Sequence, residues 1–150
     1  MMDKYSSLLA LYARFLLSMS MFWAAFFNVA GWNDQLTMLF PVAMNLSAPL
    51  LAATTAAEIV LGISILIGYA TKYMAWMSIL YTLVMASVTH QFWGVEPHLQ
   101  AREAMNFLQA FGSAGGFLLL IALGPGQYSV DQFLKEPVIP PAKSAAETKS

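Results

Sequence analysis

Four long apolar segments dominate the sequence and restrict it to a helical, membrane-embedded fold. They cover residues 7–30, 48–69, 72–92 and 103–123, and each is close to the ~20 residues that an α-helix needs to cross the core of a bilayer. Of the 150 residues, 59% are apolar and only 10% are charged, which is too apolar for an ordinary soluble domain. The sequence therefore predicts an all-α membrane protein, an antiparallel bundle of four transmembrane helices.

Glycine and proline divide the chain into a membrane domain and a tail. The turn "GYATK" between the second and third segments is short enough to make them antiparallel neighbours, and "GPG" at residues 124–126 ends the fourth. Residues 31–47 leave room for an interfacial piece at about 36–46. We expect a membrane domain over residues 1–134 and a flexible, Pro-rich tail over 135–150.

Composition excludes several classes of function. The net charge of −1 provides no basic surface for nucleic acid, and the absence of cysteine removes disulfides, Fe–S clusters and thiol chemistry. His90 ends the third segment while His98 lies in the following loop, so the two cannot ligate one haem from facing helices. No phosphate-binding loop or metal-ligand spacing is present. We expect no covalently bound cofactor, no haem and no metal.

The distribution of basic residues predicts the orientation. Only Arg102 falls on one side of the predicted membrane. The remaining six lie on or toward the other side: Lys4, Arg14, Lys72, Lys135, Lys143 and Lys149. Lysine and arginine are enriched in cytoplasmic loops. We therefore expect a multi-pass protein of the cell membrane with both termini in the cytoplasm.

Three of the segments carry a polar or small stripe at helical spacing, which should face the other helices because lipid does not reward polar contacts. The stripes are Arg14, Ser18, Met21, Ala25 and Asn28 in the first segment, Thr54, Thr55, Glu58 and Gly62 in the second, and Asn106, Gln109, Ser113 and Gly116 in the fourth.

Glu58 is the most unusual member of these stripes, because an ionised carboxylate in hydrocarbon needs a partner. At ~1.5 Å per residue, Glu58 lies about 16 Å and Arg14 about 12 Å from the cytoplasmic ends of their predicted helices. The sequence thus predicts an Arg14–Glu58 ion pair. Such a pair can simply fix helix register, or it can mark a proton or ligand site, and both interpretations stay open.

A second polar group is predicted in the outer half of the bundle. Four helices contribute to it, through Asn28, Thr54, Thr55, His90, Asn106 and Gln109. Polar side chains gathered in an apolar cavity are typical of small-molecule sites, but they also occur in hydrogen-bonded interiors without a ligand.

In the order of its short motifs, the chain resembles the DoxX family. The motifs are Arg14, the "E-x-x-x-G" of Glu58–Gly62, the "H-x-F" of His90–Phe92, Asn106, and the ending "GPGQYSVD". The resemblance implies a small membrane subunit of a quinol oxidase or quinone oxidoreductase, associated with other membrane or peripheral redox subunits and not an enzyme on its own. Homo-oligomerisation stays open.

From this resemblance we expect a quinone near Glu58 and His90. Glu58 or His90 would exchange protons with it, Arg14 would orient Glu58, and Asn106 and Gln109 would bond its carbonyls. Asn28, Thr54 and Thr55 would line the same pocket. One alternative is a non-catalytic scaffold or assembly subunit with a structural polar interior, and another is a carrier of small molecules.

Overall fold

The computed structural model describes residues 4–39 and 47–135, and these are helical with short connections. No strand occurs among them. The helices are α1 (Lys4–Ala30), α2 (Trp32–Leu39), α3 (Ser47–Ile67), α4 (Thr71–Thr89), α5 (Pro97–Leu123) and α6 (Val130–Phe133).

Three helices, α1, α3 and α5, are long and apolar enough to cross a membrane. Large apolar side chains such as Leu9, Leu16 and Leu119 are exposed on their outer faces, where lipid would cover them. The prediction of an all-α membrane protein is therefore confirmed. Four membrane-spanning helices are not confirmed, because the 19-residue α4 carries Lys72 and several hydroxyl side chains and is not among the three.

The helix boundaries agree with three of the predicted segments and differ at the fourth. α5 begins at Pro97, six residues before the predicted start, because Pro97 occupies the first turn, where its missing N–H costs nothing. The predicted interfacial piece is in part the short helix α2, while residues 40–46 lie outside the described residues. Of the predicted tail, only Lys135 is described, and residues 136–150 lie outside the described part.

The core lies between the helices and combines alanine and branched aliphatic side chains with Met21 and Phe117. Its fully buried members include Ile65, Ala75 and Phe117. The predicted stripe of α1 is confirmed, since all five of its residues are at most 7% exposed.

The predicted stripe of α5 is wrong only in part. Gly116 does pack against α1, since a Cβ added there would lie 2.9 Å from Cδ2 of Leu17, but the stripe is not the buried face of the helix. Ala110, Ala114, Phe117 and Leu120 form its buried face, whereas Gln109 is exposed. These apolar residues are spaced four, three and three apart, so they form a stripe next to the polar one. Burying their apolar surface is more favourable than burying the amides.

The start of α1, the α3–α4 turn and the end of α5 meet at one end of the molecule, which we call the α6 end. Gly126 packs against Ser7 and Ala10 of α1. The carboxylate of Asp131 accepts hydrogen bonds from the backbone N–H groups of Ala70 (2.7 Å) and Thr71 (2.8 Å). A side chain sixty residues away thus caps the start of α4.

Candidate functional site

Glu58 lies at the centre of a hydrogen-bonded group that joins three helices. Asn28 Nδ2 of α1 donates to Glu58 Oε2 at 2.9 Å, and the hydroxyl of Tyr81 on α4 is hydrogen-bonded to Oε1 at 2.7 Å. The Glu58 residue is only 4% exposed. We call Asn28, Glu58 and Tyr81 the Glu58 network.

Close packing of α1 against α3 brings Asn28 within hydrogen-bond distance of Glu58. One turn beyond Glu58, a Cβ added at Gly62 would lie 2.8 Å from Cε1 of Phe22. The glycine therefore lets α1 approach closely enough for Asn28 to reach the carboxyl group, as small residues commonly do between membrane helices.

Arg14 does not pair with Glu58, so the predicted ion pair is wrong. The Arg14 side chain is fully buried at the α6 end, where Nη2 donates to the carbonyl of Tyr128 and Nη1 lies beside Gly68. Gly68 is ten residues further along the chain than Glu58, about 15 Å along a helix axis. The depth estimate failed because α1 extends past the α3–α4 turn by about ten residues.

Among the described residues, Asp131 is the acidic side chain whose charge acts on the Arg14 guanidinium. Nε and Nη1 of Arg14 have no hydrogen-bond partner among the described residues. Arg14 therefore holds the segment that follows α5 and takes no part in the Glu58 network.

The two threonines of the predicted pocket are satisfied within their own helix. The hydroxyls of Thr54 and Thr55 donate to the carbonyl of Leu51 at 2.9 and 2.7 Å. Such local bonds are the usual arrangement for hydroxyl residues in a helix interior. The carbonyl of Thr54, rather than its side chain, reaches the network, since it lies 3.3 Å from the Tyr81 hydroxyl.

His90 belongs to a separate group at the C-terminal end of α4, away from the α6 end. Its Nδ1 lies 2.8 Å from Oε2 of Glu103, and Nε of Arg102 lies 3.5 Å from the other oxygen of the same carboxylate. Nine residues separate His90 from Tyr81, about 13 Å along α4. The structure therefore does not bring His90 and Glu58 together as one proton-exchanging pair.

The two amides predicted to bond a ligand do not join the network. Asn106 is half-buried and Gln109 is exposed, and no hydrogen bond connects either side chain to Glu58 or His90 among the described residues. Within the same described part of the chain, no three His, Cys, Asp or Glu side chains come together as metal ligands.

Sequence reasoning missed Tyr81, although the sequence contains a signal for it. Ser78 and Tyr81 are polar positions three residues apart in the middle of helix α4, the same kind of spacing that identified Asn28 and Glu58. Ser78 is fully buried and Tyr81 partly buried, so this stripe of α4 also faces the other helices.

Comparison with known proteins identifies the family. The sequence model of the SURF4 family matches residues 36–136, more than half of the chain. The chain belongs to the SURF4 family. The matched region contains Glu58 and Tyr81 but begins after Asn28.

Relatives of this SURF4-family chain include two proteins of Escherichia coli and one of Schizosaccharomyces pombe. Inner membrane protein YphA of Escherichia coli is 33% identical over 98 residues, which cover 64% of this chain and 70% of YphA. Inner membrane protein YqjF of E. coli is 27% identical over 135 residues, 90% of this chain and 98% of YqjF. The Surfeit locus protein 4 homolog of Schizosaccharomyces pombe is 31% identical over 70 residues, 45% of this chain and 23% of that protein. No solved structure gives a significant match.

The resemblance to DoxX is therefore wrong, since the matches are to the SURF4 family and its relatives and none is to DoxX. The motifs behind it, such as a glutamate four residues before a glycine, are short and also meet general demands of helix packing in membranes. The quinone-linked redox role depended on that resemblance and has no support from the SURF4 match. The comparisons establish a membrane protein of the SURF4 family.

Proposed function

We propose that this SURF4-family protein is a non-catalytic scaffold of the inner membrane, which holds partner proteins while its polar interior fixes the helices in register. The observation that carries the proposal is the Glu58 network. Both oxygens of the buried carboxyl group already have partners within the protein, at 2.9 and 2.7 Å. A carboxyl group used in this way ties helices together and offers no free oxygen to a substrate.

The surroundings of the network favour the same function. The hydroxyls of Thr54 and Thr55 are hydrogen-bonded within α3. The other candidate for acid–base chemistry, His90, is hydrogen-bonded to Glu103 and lies about 13 Å along α4 from Tyr81 of the network. Acid–base catalysis requires groups within hydrogen-bond reach of a common substrate. The spacing of Glu58 and His90 argues against a shared reaction.

We also propose that the α6 end faces the cytoplasm. Lys4, Arg14, Lys72 and Lys135 lie in the segments that form or adjoin this end, while Arg102 lies at the opposite end near the start of α5. With α4 as a fourth crossing, the positive-inside rule then predicts that both termini lie in the cytoplasm. Reporter fusions at each terminus should be active in the cytoplasm, and a reporter inserted beside Glu96 should be active outside.

Substitutions at Glu58 test the scaffold proposal. Glu58→Gln keeps the size of the side chain and one oxygen acceptor, whereas Glu58→Leu removes every hydrogen bond of the network. Val60→Ala, on an exposed face of α3, is the matched control. For each variant, the partners cross-linked in native membranes are measured per mole of folded protein.

A scaffold predicts that the same partners are recovered at the same ratio with all three variants, and that Glu58→Leu lowers only the amount of folded protein. Loss of partners from well-folded Glu58→Gln would mean that the carboxyl group has a role beyond packing. If the wild-type protein recovers no more cross-linked partners than an unrelated helical membrane protein does, the scaffold proposal is wrong.

A further inference from the structure

The hydroxyl of Tyr81 has two acceptor oxygens and only one hydrogen to give. It lies 2.7 Å from Oε1 of Glu58 and 3.3 Å from the carbonyl oxygen of Thr54. If Glu58 is ionised, the hydroxyl donates to the carboxylate, and the contact with Thr54 then joins two oxygens without a hydrogen between them.

A proton on Glu58 satisfies both contacts at once. The carboxylic acid donates from Oε1 to the Tyr81 oxygen, and the Tyr81 hydroxyl donates to the carbonyl of Thr54. Asn28 Nδ2, 2.9 Å from Oε2, then donates to the carbonyl oxygen of the acid, which accepts hydrogen bonds in either protonation state. In this arrangement both carboxyl oxygens of Glu58 and the hydroxyl of Tyr81 have matched partners.

The charges around Glu58 favour the neutral acid as well. The salt bridges among the described residues involve His90, His98 and Arg102 and none includes Glu58. Arg14, the basic residue predicted to neutralise Glu58, lies about 15 Å away along the helix axis, beside Gly68. An ionised carboxylate within an apolar membrane helix is unfavourable without a cation, whereas a protonated one carries no charge to bury.

We propose that Glu58 is a proton-binding site of the folded protein, a neutral carboxylic acid at the start of a hydrogen-bond chain from Glu58 through Tyr81 to the carbonyl of Thr54. The bound proton is what lets a glutamate join three helices inside the membrane without a basic partner. This site does not depend on the partners of the proposed scaffold, so either proposal can fail without the other.

Infrared spectroscopy of the purified protein in lipid tests the site, because a protonated carboxyl group has a carbonyl stretch separate from those of carboxylates and amides. Because the protein has eight acidic residues, variants are needed to assign a carboxyl band to Glu58. We expect a protonated-carboxyl band at neutral pH that is absent from Glu58→Gln and retained in Glu103→Gln, whose carboxylate pairs with His90 and Arg102.

Tyr81→Phe gives a second measurement that does not require replacement of Glu58. Loss of the Tyr81 oxygen removes the acceptor of the acid proton, so the band should remain and move to higher frequency. Circular dichroism of each variant establishes that it is folded. Absence of the band from the wild-type protein would overturn the proposal. So would a band whose frequency is the same in Tyr81→Phe as in the wild-type protein.

Discussion

Replacement of Gly68 by alanine should be one of the most damaging single-methyl changes in this protein. Gly68 has φ +71°, in the left-handed region, where an L-residue costs about 1–2 kcal/mol. An added Cβ would overlap Nη1 of Arg14 and would lie 2.6 Å from Cβ of Ser129. Arg14 is fully buried, so its guanidinium has no free space to enter.

The expected magnitude follows from these two effects. Displacing the guanidinium breaks its bond to the carbonyl of Tyr128, and a hydrogen bond from a charged group contributes about 1.5–3 kcal/mol. Together with the backbone strain, Gly68→Ala should lower the free energy of unfolding by about 2.5–5 kcal/mol. Gly112→Ala is the control, because nothing lies within 4 Å of its added Cβ and alanine is favoured over glycine inside a helix by about 0.5–1 kcal/mol.

Reversible unfolding in lipid bicelles, followed by far-ultraviolet circular dichroism, measures both variants. Repeating Gly68→Ala in an Arg14→Ala background isolates the overlap of the added Cβ with the guanidinium. The loss of unfolding free energy caused by Gly68→Ala should be smaller there than in the wild-type background. If Gly68→Ala unfolds no more easily than Gly112→Ala, Arg14 does not occupy the space beside the α3–α4 turn and this description of the α6 end is wrong.

Two further substitutions test the packing of the helices. Asp131→Ala removes the acceptor for the first backbone N–H groups of α4 and should destabilise the protein by about 1–2 kcal/mol. Asp34→Ala, at an exposed position of α2, should change the free energy of unfolding by less than about 0.5 kcal/mol. Gly62→Ala would place Cβ 2.8 Å from Phe22 and should cost about 1–3 kcal/mol, while Gly115→Ala, with open space around it, should cost nothing. Equal stability within either pair, measured by the same unfolding assay, would contradict the packing described for that contact.

The sequence was sufficient to predict the helices and the buried face of α1, because apolar length and the spacing of polar residues are local properties. It also placed Asn28 and Glu58 on inward faces, where they form a hydrogen bond. The choice of partner for Glu58 was not predictable in the same way. It depends on how far α1 extends beyond the α3–α4 turn, and no local pattern determines that distance.

Tertiary packing also explains why the buried face of α5 and the contacts at the α6 end were not predicted from the sequence. Two neighbouring stripes of α5 have helical spacing, and the apolar one containing Phe117 is buried, a choice that depends on the helices packed against it. Asp131 caps a helix that begins sixty residues earlier in the chain. Contacts of this range arise only after the end of α5 has folded back against the α3–α4 turn.

Double-mutant cycles at Glu58 test most directly the claim that the polar interior is a structural network centred on this residue. Asn28→Ala and Glu58→Ala should be coupled by about 1 kcal/mol, which lies between the average of ~0.6 and the maximum of ~1.7 kcal/mol found for hydrogen bonds between membrane helices. Arg14→Ala and Glu58→Ala should be additive to within about 0.5 kcal/mol, because the two side chains are far apart. The opposite result, additivity for Asn28 and a coupling of several kcal/mol for Arg14, as expected of a buried ion pair, would contradict the account.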